Sequence, residues 1–201
     1  MEEKLIIRIV KITILCLLAA GANYLLTTFM MHSLRFPLYL DTIFSVALCF
    51  GVGVIPALAA ALLTHIFAGI RDGGFTPFII CSMAEIIIVW LFKPVPSRIK
   101  SPVSLLGSLL FLYIALCISV SILGGLVDFV YHGIFSVEKF YFSPEDTIKI
   151  SLLRGNIHTI AVNILSRIPV NIVDRFFVVF GGYFISRGFL LIKKNYLTKP
   201  S

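Results

Sequence analysis

Glu85 is an acidic residue in the middle of an apolar run that covers residues 77–92. A carboxylate at the centre of a bilayer costs about 2.5–3.5 kcal/mol, so such a residue normally faces a cavity or a partner inside the protein. Two interpretations follow from this position. In the first, Glu85 contacts a ligand or exchanges a proton. In the second, it is a protonated or paired structural glutamate.

Other polar residues gather near the ends of apolar runs. Asp128 and His132 lie four residues apart and therefore share one face of a helix. A closed bundle without a ligand needs few such side chains, so we predict an outward-facing pocket for a polar or zwitterionic small molecule. For any single residue, the alternative is an ion pair at the level of the lipid headgroups. The predicted substrate-binding residues are Asn23, Arg35, Asp41, Arg71, Glu85, Asp128, His132 and Asn163.

The sequence has none of the common catalytic signatures. It contains no G-x-S-x-G, no H-E-x-x-H and no phosphate-binding loop that would use ATP to drive transport. The 4 histidines lie far apart, and the 4 cysteines sit singly inside apolar runs, so neither set has the spacing of a metal or redox site. We therefore predict no enzymatic activity, no cofactor and no metal.

Long apolar segments carry these polar residues. The chain is 59% apolar and 13% charged, whereas soluble proteins contain about 25% charged residues. Gly51, Gly53 and Pro56 divide the apolar run 38–70 into two short spans. The composition therefore predicts one all-α, membrane-embedded helical bundle over residues 1–201. The predicted spans are 5–31, 38–50, 56–70, 77–92, 102–132 and 168–193.

The placement of basic residues predicts the orientation. They concentrate near the two termini and in the segment 93–100, which the positive-inside rule places in the cytoplasm. This gives six spans with both termini cytoplasmic, in a multi-pass protein of the cell membrane. Residues 144–166 then form an outer-face helix that begins after Ser143; the alternative is a seventh span. We attribute the net charge of +7 to basic residues that set the orientation in the membrane and contact lipid headgroups, and not to nucleic-acid binding.

Two predicted helices carry stripes of small side chains. The stripe on the third span includes Ala57 and Ala61, and a weaker stripe on the first span includes Cys16 and Ala20. Small residues let helices approach each other closely in lipid. Both stripes therefore predict either internal packing or docking to another membrane protein, with these four residues at the contact.

Two stretches resemble the substrate-binding S components of energy-coupling factor (ECF) transporters. The first is PLYLDTI at 37–43, followed by a short helix, a Gly/Pro turn and an alanine-rich helix. The second is IPVNIVDR at 168–175, which opens the last helix. The layout of most of the chain is also similar to that family.

The resemblance implies a function in uptake. Family members bind a vitamin or another micronutrient from outside, join a shared transmembrane coupling subunit and two ATPase subunits, and topple so that the pocket faces inward. The resemblance further implies that residues 32–40, 71–76 and 133–167 are lids. The A-x-x-x-A docking motif of the family's first helix is Cys16-x-x-x-Ala20 here, which departs from it.

Two other functions fit the same sequence. One is a sensor that uses an S-component-like fold to detect a ligand and signals to a separate partner. The other is a membrane enzyme or assembly factor without a recognisable motif. The apolar composition fits all three functions.

Overall fold

The computed structural model describes residues 2–34, 38–72, 74, 77–94, 99, 101–135, 146–155 and 157–192. Within these ranges the chain is helical and contains no strand. The α-helices are α1 (Glu2–Thr28), α2 (Ile43–Gly51), α3 (Val54–Asp72), α4 (Ile79–Phe92), α5 (Pro102–Asp128), α6 (Asp146–Leu153), α7 (Thr159–Leu165), α8 (Ile168–Phe176) and α9 (Gly182–Ile192). Short π-helical segments prolong α1, α5 and α8: Phe29–Ser33, Phe129–Ile134 and Phe177–Gly181.

Four helical stretches are long enough and apolar enough to cross a membrane. They are Leu5–Met31, Val54–Asp72, Pro102–His132 and Thr159–Gly188. Their outward side chains are largely apolar; Ile55 is 77% exposed and Val103 is 79% exposed. Lipid solvates such a surface and water does not. The predicted all-helical, membrane-compatible fold is confirmed for the described residues, while α2 and α4 are shorter than a full span.

The short helix α2 lies at the centre of the bundle. Val46, Ala47, Leu48 and Cys49 are completely buried, and α2 contacts α1, α3, α4 and α9. The closest of these contacts, with α9, depends on the absence of a side chain at Gly182. A Cβ atom there would lie 2.9 Å from Cγ1 of Val46, well inside ordinary contact distance.

Both ends of α2 are fixed by other parts of the chain. Asn23 of α1 accepts a hydrogen bond from the backbone N–H of Phe44 at 2.9 Å, which satisfies one of the free donors of the first turn. At the other end, Gly53 has a φ of 153°, which glycine adopts without steric cost. Lys93 donates to the carbonyl oxygen of Cys49 at 2.9 Å, which satisfies a free acceptor of the last turn.

The small-residue stripes pack inside the bundle. Ala20, Ala57 and Ala61 are 0% exposed and Cys16 is 5% exposed, and the Cys16 thiol donates to the carbonyl oxygen of Pro56. These residues bring α1 and α3 close together. A docking role for them would require α1 and α3 to separate, so the structure supports internal packing.

The prediction of one continuous helix over 144–166 is wrong, while the outer-face position of this region stays a prediction. The structure forms two shorter helices, α6 and α7, separated by a turn at Arg154 and Gly155. Glycine lowers helix stability and the break falls on it. His158 then opens α7, because its Nδ1 accepts from the backbone N–H of Ile160 at 3.4 Å. The predicted cap at Ser143 lies outside the described residues.

Candidate functional site: two buried charged clusters

The first cluster surrounds the guanidinium of Arg175 on α8. Arg175 forms an ion pair with Glu85 of α4 and a second with its neighbour Asp174, whose Oδ2 lies 2.7 Å from Nη2. Oδ1 of Asp41 lies 3.9 Å from the same nitrogen, and the hydroxyl oxygen of Thr42 accepts from Nη1 at 3.1 Å. We call Asp41, Glu85, Asp174 and Arg175 the Arg175 cluster. It joins α4 and α8 to the segment that leads into α2.

The periodicity of α8 explains why its charged residues point inward. Arg167, Asn171, Asp174 and Arg175 are spaced by four, three and one residues, so they share one helix face. All four are at most 9% exposed. Asn171 continues the polar stripe by donating to the hydroxyl oxygen of Ser121 on α5 at 2.9 Å. This face therefore buries charge, while the opposite face of α8 stays apolar.

Asp174 holds the chain segment before α2 in an unusual conformation. Its Oδ1 accepts from the backbone N–H groups of Tyr39 and Leu40, both at 2.9 Å. Leu40 has a φ of 49°, a left-handed conformation that costs a residue with a Cβ roughly 1–2 kcal/mol. Strain of this kind persists where the surrounding contacts enforce it and is concentrated at functional sites. The Arg175 cluster therefore sets the backbone at the start of α2.

The Arg175 cluster has more acid than base. Among the described residues, the three carboxylates of Asp41, Glu85 and Asp174 face one guanidinium. Oδ1 of Asp41 and Oε1 of Glu85 are buried and accept no hydrogen bond. Glu85 and Asp174 are 1% and 0% exposed, whereas Asp41 is 22% exposed and marks the side from which the cluster is reached. Buried carboxylates normally have their charge paired and their acceptors used.

His65 and Ser82 extend the cluster on the side of Asp41. Nε2 of His65 lies 2.7 Å from the Ser82 hydroxyl oxygen and 4.0 Å from Oδ2 of Asp41. A serine–histidine–aspartate triad uses the two ring nitrogens for the two partners. Here one nitrogen faces both, so this arrangement does not have the geometry that activates a serine.

The second cluster ties α6 to α5. Lys149 of α6 forms an ion pair with Asp128 of α5 and lies 3.7 Å from Oδ1 of Asp146. Arg167 and His132 each approach Oδ1 of Asp128 to 3.8 Å. We call these five residues the Lys149 cluster. Burial, and then the charge of Arg167, lower the pKa of Lys149 from 10.5 to about 8.

The Lys149 cluster also depends on close helix packing. Gly124 and Gly125 leave room on α5, because a Cβ atom on Gly124 would lie 3.1 Å from Nη1 of Arg167. The guanidinium of Arg167 lies over the ring of Phe78 with 4.7 Å between its carbon and the ring centroid. This is a favourable cation–π distance.

The structure thus divides the predicted pocket residues among several places. Asp41 and Glu85 meet in the Arg175 cluster, and Asp128 and His132 meet in the Lys149 cluster. Glu85 is paired, as the second interpretation of its position predicted. One predicted pocket containing all of these residues is not what the structure shows.

The other four predicted residues stand apart from both clusters. Asn23 is 0% exposed and bridges α1, α2 and α3 by donating to the hydroxyl oxygens of Ser45 at 2.9 Å and Thr64 at 3.3 Å. Its amide is used to hold the fold and does not face a pocket. Arg71 pairs with the neighbouring Asp72 and contacts Thr28 and Tyr24 at the surface. Asn163 is half-buried on α7, and Arg35 lies outside the described residues.

The predicted site omitted Arg175, Asp174, Lys149 and Arg167. The spacing of the polar residues on α8 was a usable signal for three of them, because it marks one buried face. Lys149 had no comparable signal, since its partner Asp128 is 21 residues away in sequence.

Two apolar grooves on the surface are lined by no member of the Arg175 cluster. One, between α1 and α3, is lined by Gly21, Tyr24, Leu25, Phe67, Ile70 and Arg71. The other lies between α5 and the α7–α8 region and includes Tyr113, Cys117 and Ile172. Within the described ranges, no three His, Cys, Asp or Glu side chains converge as metal ligands would.

The chain matches no protein-family model, no curated protein and no solved structure.

Proposed function

We propose that this chain is the membrane-embedded binding subunit of a micronutrient importer of the ECF type, with six spans and both termini in the cytoplasm. The ligand is a polar small molecule that binds at the Arg175 cluster from the outer side. A shared transmembrane subunit and two ATPase subunits supply the energy. The resemblance of residues 37–43 and 168–175 to S components supports this proposal, because these stretches contain three members of the cluster, Asp41, Asp174 and Arg175.

The observation that carries the proposal is the unbalanced charge of the Arg175 cluster. Buried charges are costly and a purely structural ion pair gains nothing from extra carboxylates. Charged side chains inside a membrane domain usually mark a substrate or ion site. Glu85 is 1% exposed and its Oε1 accepts no hydrogen bond, so a bound ligand would donate a hydrogen bond to this oxygen.

The irregular segment before α2 supports a binding role independently. Non-helical backbone at membrane depth is tolerated where it is buried in protein or lines a cavity. Transporters often build their binding sites from such interrupted helices. Here the side chains of Asp174 and Asn23 accept hydrogen bonds from the backbone N–H groups of Tyr39, Leu40 and Phe44.

In the six-span topology α2 is a short span shielded from lipid. The 9 residues of α2 rise only about 13 Å, less than half of a bilayer core of about 30 Å. The segment before it adds little length, because Leu40 is left-handed and residues 41–42 form a turn. The burial of α2 among other helices removes it from lipid, so a short span is tolerated there.

The test is native mass spectrometry of the protein after gentle extraction from its own membrane. We expect a co-purifying small molecule of vitamin size, together with ATPase subunits. Glu85→Gln should lose the small molecule while retaining the subunits. Asp72→Asn, which removes a carboxylate from the exposed pair with Arg71, is the matched control and should retain both.

Two results would contradict the proposal. A protein that carries neither a small molecule nor ATPase subunits would not be an importer subunit. A protein that carries the small molecule together with a signalling protein in place of ATPases would be a sensor. In that second case the ligand site would stand and the transport function would not.

A further inference from the structure

The charge of the Arg175 cluster restricts the kind of ligand that it can bind. Asp41, Glu85 and Asp174 carry three negative charges when ionised, and Arg175 carries one positive charge. Nη1 and Nη2 of Arg175 contact these carboxylates and the Thr42 hydroxyl, whereas its buried Nε donates no hydrogen bond. Two of the three guanidinium nitrogens are therefore occupied against an incoming anion.

We propose that the ligand is a small organic cation, with a primary ammonium or a similar positive group that binds between Asp41 and Glu85. This inference rests on the proposed binding function and names its substrate class. Three buried carboxylate oxygens of the cluster accept no hydrogen bond, and one of them, Oδ2 of Asp174, already lies 2.7 Å from Nη2 of Arg175. The cation would take the other two, Oδ1 of Asp41 and Oε1 of Glu85. It would also bring the charge of the cluster closer to neutrality in a medium where net charge is costly.

The difference in exposure between the two carboxylates gives the ligand a direction of approach. Asp41 is 22% exposed and can meet the cation first, whereas Glu85 is 1% exposed and lies deeper. His65 and Ser82 contact each other beside Asp41, with Nε2 of His65 4.0 Å from Oδ2 of Asp41. An anion arriving by the same route would meet the Asp41 carboxylate before any basic group of the cluster.

The geometry favours an organic cation over a divalent metal. A metal needs several oxygen, nitrogen or sulfur ligands within about 2.0–2.6 Å of one point. Among the described residues, no group of three His, Cys, Asp or Glu side chains is arranged in this way. Two separated carboxylates instead suit an ammonium group, which donates in several directions.

The experiment measures thermal stabilisation of the purified full-length protein by probes of matched size and different charge. Choline and agmatine serve as cations, betaine as a zwitterion and nicotinate as an anion. We expect the cations to raise the unfolding temperature and to bind at least tenfold more tightly than nicotinate. Asp41→Asn and Glu85→Gln should each weaken cation binding at least tenfold, while Asp72→Asn should leave it unchanged.

The outcomes separate this inference from the function on which it rests. If nicotinate binds as well as the cations, or if Asp41→Asn strengthens binding of nicotinate without weakening that of agmatine, the cation assignment is overturned and the binding function stands. If Ca²⁺ or Mg²⁺ stabilises the protein through Glu85 and the organic cations do not, the site is a metal site. If no probe binds and no small molecule co-purifies, both proposals fail.

Discussion

The two buried clusters contain the same kinds of side chain but differ in charge balance. In the Lys149 cluster, Asp128 and Asp146 face Lys149 and Arg167, so acid and base are equal before His132 is considered. In the Arg175 cluster, three carboxylates face one guanidinium. The region of α8 contributes to both, with Arg167 at the N-cap of the helix and Arg175 in its last turn.

This difference separates a contact that holds the fold together from a site that is prepared for a ligand. A balanced set of charges can be buried between two helices without a further partner, as where Lys149 of α6 meets Asp128 of α5. An unbalanced set remains costly until something else neutralises it. Three experiments test this distinction without any ligand.

The largest expected effect comes from removing the cation that the three carboxylates share. Arg175→Met should destabilise the protein by about 3–5 kcal/mol, because it leaves buried carboxylates uncompensated. Arg175→Lys should recover part of the loss, since it restores the charge without the planar donors that contact Glu85 and Thr42. The measurement is the unfolding temperature in detergent, together with the yield of monodisperse protein.

Arg71→Met is the matched control for this prediction. Arg71 also pairs with an aspartate, but its side chain is 30% exposed, so its loss should cost no more than about 1 kcal/mol. Equal destabilisation by the two substitutions would mean that the carboxylates of the Arg175 cluster do not depend on the guanidinium.

The sequence predicted the helices better than it predicted which residues meet. Apolar runs and their Gly/Pro interruptions located α3, α4 and α5 to within a few residues, because membrane helices depend on local composition. The break at Gly155 was missed, although glycine lowers helix stability. Local signals of this kind compete, and tertiary packing decides between them.

The clusters were harder to predict because their partners are distant in sequence. Glu85 was recognised by its position in an apolar run, but its pairing with Arg175 spans 90 residues. Asn23 was predicted to bind the ligand. In the structure its side chain instead hydrogen-bonds the first turn of α2, accepting from the backbone N–H of Phe44 and donating to the hydroxyl of Ser45.

The second prediction concerns the close packing that positions the Lys149 cluster. Gly125→Ala should destabilise the protein by about 1–3 kcal/mol, because its Cβ atom would lie 2.8 Å from the backbone nitrogen of Ile164 on α7. Gly107→Ala, on the same helix but with open space around it, should cause no loss. Thermal unfolding of the pair in the same detergent is the measurement. A loss at Gly107 as large as that at Gly125 would show that helix α5 tolerates alanine poorly for reasons other than contact with α7.

The smallest expected effect is the pH dependence of the attachment of α6. Lys149 has a pKa of about 8 when α6 is docked and about 10.5 when it is free, so the free state holds more protons between these values. Raising the pH therefore favours docking, by about tenfold between pH 7 and pH 9. Amide hydrogen exchange of residues 146–153, corrected for the intrinsic effect of pH, should show this gain in protection.

Two variants decide whether Lys149 causes that pH dependence. Lys149→Met removes the titrating amine, so protection of α6 should no longer change with pH. His132→Gln removes the other titratable base that faces Asp128, and the tenfold gain should persist. A gain that persists in Lys149→Met, or that disappears in His132→Gln, would assign the pH dependence to another group. Ligand binding at the Arg175 cluster should be unchanged by Lys149→Met, because the balanced cluster holds α6 and does not contact the ligand.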